Sequence, residues 1–249
     1  MPHNTLSPQT KRLAKHTCCF TGHRPDKLPN KGMWNDNIKK LPARSPCHPL
    51  EALDAKITLA VDEAVKHGCT TFICGGAAGV DLIAADAVID AKQYHPEIRL
   101  ISVLPYRGHD KGWTGAWNYW RDMLKDTVQK SDEVLYIQDA YSKSCYHRRN
   151  EYMVDHSSVV IGVVEDYENP FAHASGGTYA TLEYAAKEGK AIFLIPTKSE
   201  ADCVWIPGAE VQRQMDEHKA EAMRRGEDVE YWPTEDEIVE VWKTTGPWW

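Results

Sequence analysis

The chain has 249 residues, 42% of them hydrophobic and 26% charged, a composition that excludes disordered, collagen-like and fibrous classes. Its formal net charge of −7 argues against the broad phosphate-neutralising surface that non-specific nucleic-acid binders need. Met1–Lys15 is polar and no run of about 18 apolar residues occurs, so a cytoplasmic protein without a membrane span is expected.

Apolar runs bounded by Gly or Pro alternate with stretches of helical period, the pattern of βαβ units around a parallel sheet. Strands are predicted at Thr17–Thr21, Thr70–Cys74, Arg99–Leu104, Glu133–Ile137, Ser158–Val164 and Ala191–Ile195. Helices are predicted near 50–67, 78–92, 114–130, 145–156 and 177–188. Six strands and five intervening helices imply a Rossmann-like, doubly wound α/β fold, its mostly parallel sheet covered by helices on both faces. In such a sheet, ligands bind beyond the carboxyl ends of the strands, where helix N-termini present free N–H groups.

The first strand runs into Thr21-Gly22-His23-Arg24-Pro25. Gly22 permits close backbone approach, Thr21 offers a hydroxyl, and His23 and Arg24 can meet an anion. The plainer alternative is a turn with an exposed Arg and a helix-blocking Pro. Residues 26–49 then break the rhythm with Pro, Asn, Lys and Trp34, too long for a simple βα connection, and could form a lid.

The second strand ends in Cys74-Gly75-Gly76-Ala77-Ala78-Gly79-Val80-Asp81. Gly75, Gly76 and Gly79 suit backbone contact with a phosphate or ribose. Asp81 falls in the first helical turn, where it serves either the ligand or merely the helix dipole. After the third strand, Tyr106 and Arg107 are candidate ligand contacts. Trp113, Trp117, Tyr119 and Trp120 follow, and either stack on a base or pack in the core. A helix beginning near Ser144 puts Arg148 and Arg149 on neighbouring faces, so one can point inward while the other meets solvent.

The fifth strand leads to Ser175-Gly176-Gly177-Thr178, glycines and hydroxyls opening a helix that carries Glu183 about two turns in. Glu183 reads either as an acid or base beside a bound sugar or as a solvated helix residue. Beyond Pro196 the chain turns acidic, with 13 Asp and Glu against 4 Lys and Arg over residues 200–240, which leaves the rest slightly basic. Helices are expected near 208–225 and 234–243, and Trp248 and Trp249 read as a packing anchor. The expected organisation is an N-terminal tail at 1–15, a domain at 16–197 and an acidic helical appendage at 198–249. Seven cysteines, an odd number without CxxC spacing, point to reduced thiols and to no structural zinc.

The ordered motifs TGHRP at 21–25, GGAAGVD at 75–81, YHRRNEYMVDHS at 146–157 and SGGTYATLEYA at 175–185 resemble the YpsA-like branch of the SLOG superfamily. That superfamily also holds the LOG-type phosphoribohydrolases and the DprA-type DNA-processing proteins. The resemblance spans about residues 16–197. It implies a Rossmann-like fold that binds a nucleotide or nucleotide-derived molecule as a sensor or sequestering module. The alternative it implies is N-glycosidic hydrolysis of a nucleoside 5′-monophosphate, in which Arg149 and Glu183 stand at the catalytic positions.

The same comparison adds Asn150 to the ligand-facing set, beside Thr21, Gly22, His23, Arg24, Gly75, Gly76, Gly79, Asp81, Tyr106, Arg107, Ser175, Gly176, Gly177 and Thr178. No metal or cofactor is implied. A homodimer is expected by analogy with the LOG enzymes. Tyr179 and Ala180 replace the Gly-Thr pair of the enzymes, and Ser175 replaces their usual Pro, so the hydrolytic motif is only partly intact. DprA-like binding of single-stranded DNA is a weaker alternative, for which Arg24, Arg107, Arg148 and Arg149 would have to form a basic strip.

Overall fold

Strands form where β-branched and aliphatic residues run without interruption, as in Val-Val-Ile-Gly-Val-Val and Ala-Ile-Phe-Leu-Ile-Pro, because a central parallel strand is buried on both faces. The computed structural model describes residues 14–28, 50–165, 176–197 and 202–226. The strands are β1 (Thr17–Gly22), β2 (Thr71–Cys74), β3 (Arg99–Tyr106), β4 (Glu133–Gln138), β5 (Val159–Val164), β6 (Ala191–Pro196) and β7 (Val204–Ile206). The α-helices are α1 (Glu51–Lys66), α2 (Val80–Ala91), α3 (Asn118–Lys130), α4 (Cys145–Asp155), α5 (Gly177–Lys187) and α6 (Gly208–Arg224).

The strands lie in the order β4-β3-β2-β1-β5-β6-β7, all parallel except β7, which runs antiparallel to β6 with Leu194 opposite Val204. The Rossmann-like α/β architecture expected from the alternation is therefore present. The short seventh strand, which three residues with no clear period did not announce, extends the sheet. The predicted helix near 114–130 divides into a 3-10 turn at Gly115–Trp117 followed by α3. Pro105 stands inside β3 because β2 has already ended at Cys74, opposite Ser102, so no ladder on that side needs its missing N–H.

Successive residues of each strand feed two separate cores. Cys18, Phe20, Phe72, Leu100, Ile161 and Phe193 pack with α1, α2 and α3. Cys19, Ile73, Val103, Val160, Ile192 and Leu194 pack with Met153 and Val154 of α4, Leu182 and Ala185 of α5 and Val211 of α6. Gly162 in β5 brings α5 close: a Cβ there would lie 2.7 Å from Leu182 Cδ2. Six of the seven cysteines are described, and all six are free thiols.

This order creates a switch point. From β1 the sheet grows through β2, β3 and β4, and the chain then returns to the other side of β1 with β5 and β6. The helix that follows β1 and the helix that follows β5 cover opposite faces, the arrangement that in open α/β sheets leaves a crevice outside the carboxyl ends of the neighbouring strands. No helix among the described residues is long and apolar enough to cross a membrane. The segment 29–49, the expected helix near 234–243, Trp248 and Trp249 lie outside the described residues.

Candidate functional site

The turn after β2 is shaped by a buried ion pair. Arg149, on α4, donates from Nη1 to Asp81 Oδ2, on α2, at 2.8 Å, and both residues are 5% exposed. The same carboxylate oxygen accepts from the Ala77 amide at 3.1 Å. Asp81 thus folds back onto the glycine turn, where a carboxylate is favoured by the helix N-terminus and by a hydrogen-bonded guanidinium. Gly75 makes room for this: a Cβ there would stand 1.3 Å from Arg149 Nη1 and 2.5 Å from Asp81 Oδ2. The space that glycine leaves free is filled by the protein's own guanidinium.

The other glycines of the turn have different reasons. Gly76, at φ +67°, would drive a Cβ to 2.3 Å from Leu104 Cδ2, and its carbonyl accepts a 3.2 Å bond from His109 Nε2. A carbonyl can only accept, so Nε2 carries the proton of His109. Burial pushes the His109 imidazole below its ordinary pKa, with Arg149 and Arg24 adding to the effect. Gly79, at φ +100°, caps α2 and lies against the β1 turn, where a Cβ would come within 2.5 Å of the His23 carbonyl. That carbonyl accepts the Val80 amide at 3.2 Å, while Val80's side chain covers Gly22. Thr21 is buried at the end of β1.

His23 and Arg24 bring the β1 turn to the switch point. His23 is 6% exposed, its ring meets Tyr179 of α5 edge to face at 5.8 Å, and its Nε2 has no hydrogen-bond partner among the described residues. Burial, and then Lys27, lower its pKa. Arg24 is half-buried with its guanidinium carbon 6.0 Å from the centre of the Tyr146 ring. Burial, followed by the nearby Arg149 charge, lowers the Arg24 pKa, opposed in part by Asp81. Two guanidinium groups therefore lie near Asp81, with Asp26 also acting on Arg24, and Arg149 Nε, also buried, has no partner among the described residues.

The opening turn of α5 lies on the far side of the crevice. Gly176, at φ +110°, is its N-cap, and no described atom lies within 4 Å of where a Cβ would be. Gly177 is nearly as open, with Asn150 Nδ2 at 3.9 Å, and Thr178 is buried. Asn150 donates to Thr181 Oγ1 at 2.8 Å, and that hydroxyl donates to the Gly177 carbonyl at 2.6 Å, which ties α4 to the start of α5. Glu183 is 3% exposed, with its Oε1 3.2 Å from Lys187 Nζ one turn on. Ser175 lies outside the described residues.

The structure thus gathers His23, Arg24, Gly75, Asp81 and Arg149, and sets the α5 turn against them through His23 and Tyr179. It does not bring Arg107 there. That guanidinium stacks 4.1 Å from the centre of Tyr136 on edge strand β4. Arg148 faces outward while Arg149 is buried, so the four arginines do not form one exposed strip. Trp113 and Trp120 belong to the core, with Trp117 and Tyr119 packed against it. Tyr146, one turn before Arg149 on α4, was not among the expected contacts, although its i, i+3 spacing places it on the same helix face. Tyr141, in a loop whose course has no sequence period, gave no such signal. Among the described residues no three His, Cys, Asp or Glu side chains are grouped as metal ligands would be.

A model of the YspA SLOG family matches residues 18–199, nearly three quarters of the chain. The chain belongs to this family. The SLOG match runs from the second residue of β1 through β6 and takes in each of the turns described above. Among similar proteins, the uncharacterized SPbeta prophage-derived protein YoqJ of Bacillus subtilis (strain 168) is 28% identical over 148 residues, which are 54% of this chain and 81% of YoqJ. The UPF0398 protein BH1768 of Halalkalibacterium halodurans is 30% identical over 112 residues, 43% of this chain and 55% of that protein.

Proposed function

We propose that this SLOG protein binds a nucleotide-derived anion in the crevice between the ends of β1 and β5 and holds it without cleaving it. The observation that carries the reading is a pair of buried nitrogens beside two guanidinium groups. Arg24 and Arg149 lie near the Asp81 carboxylate, with Asp26 also near Arg24, and Arg149 Nε and His23 Nε2 are both buried without a partner among the described residues. Buried polar atoms are ordinarily satisfied, and a ligand's oxygens would satisfy these. The α5 turn at Gly176–Thr178 would receive the phosphate, since no described atom lies within 4 Å of a Cβ at Gly176 and its amides start a helix. At the α2 turn the Asp81 carboxylate already stands where an anion would otherwise sit, which suits that turn to hydroxyl groups of a sugar instead.

Binding is preferred to hydrolysis for two reasons. Glu183 Oε1 lies against Lys187, and Tyr179, in place of the small residue of the hydrolase motif, leans on His23. Calorimetric titration with AMP and ADP-ribose tests the proposal, with chromatography of the incubated mixture to detect free base. Saturable binding with no base released is expected, and Arg24→Ala should weaken it about tenfold or more while leaving the melting temperature near that of the wild type. Release of base that depends on Glu183 would replace binding by catalysis. No saturable binding of either compound would reject the site.

A further inference from the structure

Three tyrosines cluster at the carboxyl end of the sheet without belonging to either core. Tyr106 ends β3, Tyr141 lies in the loop after β4, and Tyr146 is in the first turn of α4. The Tyr106 ring meets Tyr141 at 5.7 Å and Tyr146 at 6.3 Å, edge to face in both cases, and it also touches His109 at 6.2 Å. Burial, and then the neighbouring Tyr106, push the Tyr146 hydroxyl pKa up. The tryptophans that follow β3 in the sequence pack in or against the apolar core, but these three rings do not. Tyr141 is 45% exposed, so the cluster has an open side.

The cluster borders the anion site directly. Arg24 connects the two, since its guanidinium lies over the Tyr146 ring and close to Arg149. Tyr146 precedes Arg149 by three residues on one helix face, about 4.5 Å along the axis, so the ring and the guanidinium arise from adjacent turns of α4. His109 links Tyr106 to the Gly76 carbonyl of the glycine turn. Amphipathic rings beside a cationic group suit a flat, polar-edged ring system better than an aliphatic group.

We infer that Tyr106, Tyr141 and Tyr146 form the seat of an aromatic base, so that the ligand is a nucleotide read at its base and not a bare sugar phosphate. This rests on the anion site proposed above and adds to it the part of the ligand that supplies selectivity. The Tyr141 ring stacks on the base, and the edge-to-face Tyr106–Tyr146 pair holds it in place.

Titration of the full chain with ribose 5-phosphate and with AMP, GMP, CMP and UMP tests the inference. At least one nucleotide should bind about tenfold or more tightly than ribose 5-phosphate, the increment expected of one base stacked on an aromatic side chain. Tyr141→Ala should abolish that increment without changing ribose 5-phosphate affinity, and Tyr141→Phe should keep it. The inference is overturned if the nucleotides and ribose 5-phosphate bind equally, a result that leaves the anion site standing. It is also overturned if Tyr141→Ala keeps the increment or weakens ribose 5-phosphate in the same proportion. Binding of none of the five compounds would reject this inference, and with no binding of ADP-ribose either it would reject the anion site beneath it.

Discussion

Arg149 and Asp81 meet over the carboxyl edge of the sheet from helices on opposite faces, Nη1 to Oδ2 at 2.8 Å, in the space left by the missing side chain of Gly75. The pair bolts the two helix layers together beside the crevice. Its stability follows the rule for buried ions: the intact pair contributes little net energy, but a broken one leaves an uncompensated charge. Asp81→Ala should therefore cost about 3–5 kcal/mol in urea unfolding. Asp81→Leu combined with Arg149→Met should recover most of that loss, because the remaining groups are apolar. A double variant as unstable as Asp81→Ala would show that the cost comes from packing and not from charge.

Glycines that look equivalent in the sequence should differ in their tolerance. Gly75→Ala puts a methyl on the guanidinium and should destabilise by about 1–3 kcal/mol, the usual cost of overpacking. Gly177→Ala, whose nearest described neighbour would be 3.9 Å away, should leave unfolding nearly unchanged. Matched denaturation curves compare the two.

Packing of α5 on β5 sets the position of the α5 turn, and Gly162 sets that packing. Gly162→Ala should destabilise by about 1–3 kcal/mol, since Leu182 must move from its 2.7 Å approach. Adding Leu182→Val should restore part of the loss. Failure of the second change to help would mean that the strand itself, and not the helix contact, resents the methyl.

Stability should also fall as the solution is acidified. His23 and His109 both have folded pKa values below the ordinary 6.5, chiefly through burial. Below about pH 6.5 the unfolded chain takes up protons that the folded chain refuses, so their contribution is complete above that pH and declines until the lowered folded values are reached. Urea midpoints at pH 7.5 and 5.5 measure the slope. His109→Gln should flatten it, and an unchanged slope would assign the effect to other groups.

Much of the fold was legible because its signals are local. Val159–Val164 and Ala191–Pro196 are apolar on both faces, and such runs between glycine turns have few other structures open to them. β7 was missed since Val204–Ile206 is too short to show a period and is a strand only by pairing with β6. At the candidate site the turns were legible in the sequence but the contacts their residues make were not. Gly75 was expected to face a phosphate or ribose, whereas the structure puts a guanidinium 74 residues away in the space it leaves, and Arg107 stacks on Tyr136 at the sheet's edge.

By itself the sequence determined the alternation of strand and helix, the glycine turns at strand ends and the inward face available to one of two adjacent arginines. Periodicity and backbone freedom belong to short stretches of chain, so they can be read without a fold. Only the tertiary structure decided that Arg149 is the buried one, that Asp81 is its partner, and that Tyr141 and Tyr146 join Tyr106 beside Arg24. Those relations depend on which strands lie side by side at the switch point and on where helices from opposite faces meet, and no local pattern carries that geometry.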